Sequence, residues 1–148
     1  MVERLHVALA VTARHLRSTE AGEGLTPTEL SILATISRRG SLRLTELAEI
    51  EHVNPTMLSR IAARLAEARL ISREADADDR RAARVEATPA GLALHERIRA
   101  QRRASLAAHL DELPDDDVRK LLAALPALEA LAVGLRRDAP GPTPGSRP

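Results

Sequence analysis

A chain of 148 residues has the length of one domain, or of one domain with an added dimerisation element, and its 22 basic and 21 acidic side chains leave a net charge of +1 that selects no polyanionic partner. Apolar residues make up 44%, yet Phe, Tyr and Trp are absent, so the core must be built from Leu, Ile, Val and Ala, and aromatic stacking is removed as a way of holding bases or planar ligands. The lack of cysteine excludes a disulfide framework, thiolate metal ligation and a thiol redox switch.

The first predicted element is an amphipathic helix over 2–18, with Leu5, Leu9, Thr12, Ala13 and Leu16 on one face and Arg4, Arg14 and Arg17 elsewhere. It ends before a loop holding Gly22 and Gly24. Thr26-Pro27-Thr28-Glu29 then supplies an N-cap, a proline at the first helical position and a glutamate at the third. This capping box opens a helix carrying Leu30, Leu33 and Ile36, with Gly40 as its expected C′ residue. A short extended piece over 41–44 leads to a brief helix capped by Thr45 and carrying Leu47, Ala48 and Ile50, and His52-Val53 forms a turn. Asn54-Pro55 restarts the chain as cap and first helical residue. Leu58, Ile61, Ala62 and Leu65 mark the buried side of a helix to about Ala68, leaving Thr56, Ser59, Arg60, Ala63 and Arg64 facing out.

Residues 70–75 read as a strand and Val85 to Thr88 as its partner, joined by a charged tip over 76–84. Thr88-Pro89 repeats the cap-plus-proline signal and opens a long helix toward Leu113; Pro114 and Asp115 to Asp117 open the last one. In that helix Val118, Leu121, Leu125, Leu128, Ala132 and Leu135 alternate at spacings of three and four, a coiled-coil-like seam interrupted by Pro126, which should kink it. Residues 138–148 are rich in Pro and Gly without apolar periodicity and are expected to be disordered.

This order describes a mainly α protein with a small β-hairpin: a winged helix-turn-helix held between helices from both ends of the chain. In such a unit the second helix of the helix-turn-helix enters the major groove, which at about 12 Å wide admits one α-helix. Thr56, Ser59, Arg60 and Arg64 stand at i, i+3, i+4 and i+8, so they share a face that reaches bases and phosphates together; a solvated face has the same spacing. The hairpin tip carries Asp79, Arg80, Arg81 and Arg84, and a guanidinium on a thin hairpin fits a narrow minor groove. One of Asp76, Asp78 and Asp79 is expected to pair with a nearby arginine and orient the hairpin, since an unpaired carboxylate would repel phosphate. Self-cancelling charges on a solvated loop are the alternative.

The run LTELAEIEHVNPTMLSRIAARLAEARLISR, followed by DADDRRAARVEATPAG, resembles the MarR family of bacterial transcription regulators. The family's wing signature, Asp-x-Arg, five residues, Leu-Thr and a later Gly, is met by Asp79, Arg81, Thr88 and Gly91, and the likeness covers roughly residues 1 to 136. The resemblance implies that Pro55, Thr56, Ser59 and Arg60 lie on a recognition helix in the major groove. It also implies Arg81 as the minor-groove arginine, Asp79 as its brace, a homodimer through the first and last two helices, and a small-molecule or stress signal that weakens DNA binding. The chain departs from the family in three places. Arg69 replaces the usual glycine after the recognition helix, so either Arg69 accepts a left-handed backbone or the helix ends differently. Ala87 stands where the wing motif has Leu, and Glu51-His52 replaces the usual Leu-Gly of the turn.

An enzyme would need convergent catalytic groups, and none are legible: His6, His15, His52, His95 and His109 lack close metal-binding spacing, and no phosphate-cradling glycine loop or nucleophile elbow occurs. Asp115 to Asp117 sit at a helix start, where they complement the helix dipole. No run approaches the roughly 18 apolar residues of a membrane span and no signal peptide precedes the first helix, so a cytoplasmic protein is expected. The expected architecture is a unit over 1–137 with dimerisation helices at about 2–18, 89–113 and 114–136, a DNA-binding lobe at about 26–88, and no cofactor. The expected DNA contacts are Asn54, Pro55, Thr56, Ser59, Arg60 and Arg64 from the helix and Asp79, Arg80, Arg81 and Arg84 from the wing, on a pseudo-palindromic operator. Any effector pocket, near the junction of dimer helices and winged unit, should be aliphatic with Arg or His handles. The competing function is a helical winged module that binds protein instead of DNA.

Overall fold

Each long helix of the winged unit begins where the chain supplies its own cap. The computed structural model describes residues 1–18, 24–76 and 82–137. In chain order these form α1 (Val2–Ser18), α2 (Pro27–Arg39), β1 (Leu42–Arg43), α3 (Leu44–Glu51), α4 (Pro55–Glu67), β2 (Ile71–Ala75), β3 (Ala83–Ala87), α5 (Pro89–Asp111) and α6 (Asp115–Arg137). At α2 the capping box is complete: Thr26 Oγ1 accepts from Glu29 N at 3.3 Å and Glu29 Oε2 accepts from Thr26 N at 2.7 Å. Asn54 Oδ1 accepts from Thr56 N at 2.8 Å to start α4, and Thr88 Oγ1 accepts from Gly91 N at 3.1 Å to start α5. Gly40 closes α2 with φ 77° and its N–H on Ile36 O.

The third helix differs from expectation. It starts at Leu44, with Arg43 at the cap position and Glu46 Oε2 accepting from Arg43 N at 2.8 Å, so Thr45 lies inside it. The cause is a strand pairing made far away in sequence: Leu42 and Arg43 pair with Val85 and Arg84, and the chain leaves that strand directly into a helical turn. The hairpin is thus part of a three-stranded antiparallel sheet, order β1-β3-β2, with Ile71 opposite Ala87 and Ala75 opposite Ala83.

The core is entirely aliphatic. Ile32, Leu33 and Ile36 of α2 pack with Leu47, Leu58 and Leu65 of the next two helices, and Ile71 and Val85 of the sheet close it from below. Leu94 and Ile98 join it, so the first half of α5 is anchored in the winged lobe. Burial near this level supplies roughly 1.5–3 kcal/mol per side chain before entropy is counted. Helices α1 and α6 contribute no buried side chain among the described residues. The last helix runs unbroken through Pro126, which has no N–H to offer the Leu122 carbonyl. The expected tail over 138–148 lies outside the described residues, and none of the described helices is long and apolar enough to cross a membrane.

Candidate nucleic-acid interface

A groove-reading helix must be held firmly by one face and left bare on the other. In α4 the spacing of Leu58, Ile61, Ala62 and Leu65 buries one face, and Pro55, Thr56, Ser59, Arg60 and Arg64 are exposed, as is the cap residue Asn54. The sequence-predicted helix residues are therefore brought together on one accessible surface. Arg64 has a second attachment: its Nη1 lies 3.0 Å from Oε1 of Glu29, a carboxylate only 1% exposed. That oxygen has no well-aligned hydrogen bond, so the contact is one of charge, and it ties the recognition-type helix to the capping box of α2.

Between α3 and α4, His52 adopts φ 52°, the left-handed conformation that costs a side chain its usual comfort. Arg69, just after α4, does the same with φ 58°. The two non-glycine residues that stand where the related pattern has glycine thus keep the glycine backbone, and Arg69 resolves to the left-handed alternative. Glu51, in place of the usual leucine, accepts from Ser31 Oγ at 2.7 Å and also from Thr35 Oγ1, stitching α3 to α2 with hydrogen bonds where packing would otherwise serve.

The wing is braced at its base. Asp76, 2% exposed, accepts from Arg43 Nε at 2.8 Å and Nη2 at 3.1 Å and from Arg84 Nη1 at 3.2 Å. Arg84 also donates to Ser41 Oγ and Ser41 O, each at 3.0 Å. Of the aspartates from which an orienting partner was expected, Asp76 has this role. Arg84, expected at the DNA surface, is engaged with Asp76 and Ser41 at the root of the hairpin. Asp79, Arg80 and Arg81 lie outside the described residues. Sequence reasoning missed Arg43 and Ser41, because nothing local marks a partner 33 residues from Asp76.

The joint between wing and α5 depends on Gly91. Thr88 N donates to Leu70 O at 3.0 Å and Thr88 Oγ1 to Arg69 O at 2.6 Å, which draws the start of α5 against the end of α4. A Cβ at Gly91 would lie 2.0 Å from Leu70 O. The glycine of the wing signature is required by this close approach.

Away from the lobe, α1, α5 and the start of α6 enclose a groove of about 660 Å³ lined by Val11, Leu16, Leu106, Leu110, Leu113 and Leu121 together with His15 and His109. It lies among the terminal helices. The two imidazoles meet edge to face with centroids 4.7 Å apart, and both address Ser105: His15 Nε2 with its Oγ at 3.2 Å, His109 Nδ1 with its carbonyl at 2.7 Å. His95 is held below its ordinary pKa by desolvation, reinforced by Arg38, Arg99 and Arg102 and opposed by Glu96. Asp116 and Asp117 are engaged by Lys120, whose pKa they raise, and Asp116 by Arg119 as well. Among the described residues no three His, Asp or Glu side chains converge on a metal position.

Residues 25–83 match the family model described as the MarR family. The chain is 33% identical over 96 residues to the HTH-type transcriptional repressor MdtR of Bacillus subtilis (strain 168), a match covering 65% of this chain and 62% of that repressor's length. The fold is similar to the crystal structure of YusO protein from Bacillus subtilis, at 27% identity and a TM-score of 0.71 over 88% of this chain and 94% of that one. It is also similar to NadR in complex with 4-hydroxyphenylacetate, at 22% identity and a TM-score of 0.62 over 84% and 88%. The matched segment holds both the bare-faced α4 and Asp76 of the wing root, so the winged helix-turn-helix lobe is the part of this chain that matches the MarR family.

Proposed function

We propose that the chain is a homodimeric transcription regulator that binds a pseudo-palindromic DNA duplex and acts as a repressor relieved by a small-molecule or stress signal. The observation that carries the DNA-binding reading is α4: an aliphatic face seated in the core and an opposite face of Thr56, Ser59, Arg60 and Arg64, opened by the Asn54-Pro55 cap. Arg60 and the hydroxyls address base edges, and Arg64, already neutralising Glu29, sits where it reaches phosphate. Arg81 enters the minor groove, with Asp79 and Arg80 beside it. Arg84 acts from behind by holding the wing root.

The dimer reading rests on the terminal helices. A 23-residue α6 with no buried side chain among the described residues leaves Leu121, Leu122, Leu125, Leu131 and Leu135 at 39–61% exposure, and Leu5, Leu9 and Val11 of α1 are exposed too. Apolar surface on that scale is stable in water only when covered, and a second copy supplies the same surface about a two-fold axis. Two recognition helices then enter successive major grooves about one helical turn apart. The groove carrying His15 and His109 is the proposed effector pocket, shaped for an aliphatic or phenolic acid whose carboxylate meets an imidazole.

Selection of duplexes from fragmented genomic DNA tests the reading. It should recover an inverted repeat, with affinity falling steeply as salt rises because phosphate contacts release counterions. Arg60→Ala should weaken binding by roughly 1–3 kcal/mol and relax base preference, whereas Arg81→Ala should weaken binding with little effect on folding. Recovery of no duplex would leave the winged unit as a protein-binding module.

A further inference from the structure

Met57 is the one large apolar side chain left exposed in the winged lobe among the described residues. Between Gly24 and Thr88 every other large hydrophobic is buried or half-buried, while Met57 is 51% exposed. The remaining exposed large apolar side chains belong to the chain start, the terminal helices and the turn between α5 and α6. Met57 lies in the first turn of α4, immediately after Pro55-Thr56 and on one stripe with Arg60 and Arg64 at i+3 and i+7. The polar residues around it offer hydrogen bonds, and Met57 adds a flexible, polarisable apolar arm at the end of the helix nearest base edges in a helix-turn-helix.

We propose that Met57 is a specificity-determining residue that packs on the C5-methyl group of a thymine in the major groove. This rests on the DNA-binding reading of α4. In the major groove the thymine methyl is the one apolar feature among the donors and acceptors of the base edges, so an apolar side chain placed there selects it. A long unbranched thioether reaches that methyl without requiring the helix to seat deeper, and the contact adds preference at one base pair without adding charge.

The test uses the full-length chain and a duplex selected by it from a random-sequence pool. Each thymine of one half-site is replaced in turn by deoxyuridine, which removes the methyl and keeps every hydrogen-bonding group. One replacement should lower affinity by about fourfold, the effect of one buried apolar carbon. Met57→Leu should keep that penalty, and Met57→Gln should abolish it without changing the slope of affinity against salt, because no phosphate contact is lost. A wild-type scan in which no replacement weakens binding overturns the proposal whether or not the variants fold, and so does a penalty that survives in Met57→Gln. Failure to select any duplex overturns the DNA-binding reading itself; a selected duplex indifferent to its methyl groups overturns only the role of Met57.

Discussion

Replacing Gly91 by alanine adds one methyl group where the start of α5 approaches the Leu70 backbone. The new Cβ would stand 2.0 Å from Leu70 O, 3.0 Å from Leu70 C and 3.3 Å from Leu33 Cδ1. An ordinary carbon–oxygen contact is about 3.3 Å, so the start of α5 must retreat by roughly 1.3 Å. The oxygen in the way is the acceptor for Thr88 N at 3.0 Å, and that retreat breaks the bond. Overpacking of this kind costs about 1–3 kcal/mol, the lost hydrogen bond about 1 kcal/mol, and the better helix propensity of alanine returns about 1 kcal/mol. The net expectation is a loss of about 1–3 kcal/mol, seen as a Tm lower by about 3–10 °C. Urea and thermal unfolding followed by circular dichroism at one protomer concentration measure it. Gly134→Ala, whose Cβ meets nothing within 4 Å, should move stability the other way. A Gly91→Ala protein within about 0.5 kcal/mol of wild type would refute the close-approach argument.

Asp76→Asn removes the charge shared by Arg43 and Arg84 at the wing root and should cost about 1–3 kcal/mol, less than a fully buried pair because both arginines are more than a third exposed; urea denaturation reads this, and an unchanged midpoint would contradict the brace. His52→Gly and Arg69→Gly relieve left-handed backbones at φ 52° and 58°, and each should gain about 1 kcal/mol. Their effects should add, since the sites are separate, and His52→Ala should gain nothing. His95 has its pKa lowered from 6.5 by desolvation. As pH falls through 6.5 the unfolded chain takes up this proton first, so stability is full above that pH and declines below it. A Tm–pH profile of His95→Gln should be flatter on the acid side than that of wild type.

Much of the architecture was readable because its signals are short-range. Thr26-Pro27, Asn54-Pro55 and Thr88-Pro89 each place a capping oxygen beside a proline that has no N–H to satisfy, and the structure starts α2, α4 and α5 at those prolines. The helical period of Leu58, Ile61, Ala62 and Leu65 told the buried face of α4 from the bare one. Thr45 misled because its capping chemistry is equally local, whereas the start of α3 is decided by β1 pairing with β3 across the sheet.

The sequence alone determined the order of elements, the aliphatic core, the residues on the exposed face of α4 and the resemblance that the winged segment bears, since each follows from neighbours within a few turns of chain. Tertiary structure decided which groups are already occupied. It brought Arg43 to Asp76, drew Arg84 to Ser41, set Arg64 against buried Glu29 and pressed Gly91 onto Leu70. Those pairings join residues 21 to 43 positions apart, and charge or size read along the chain does not say which distant partner will be in reach once the core has closed.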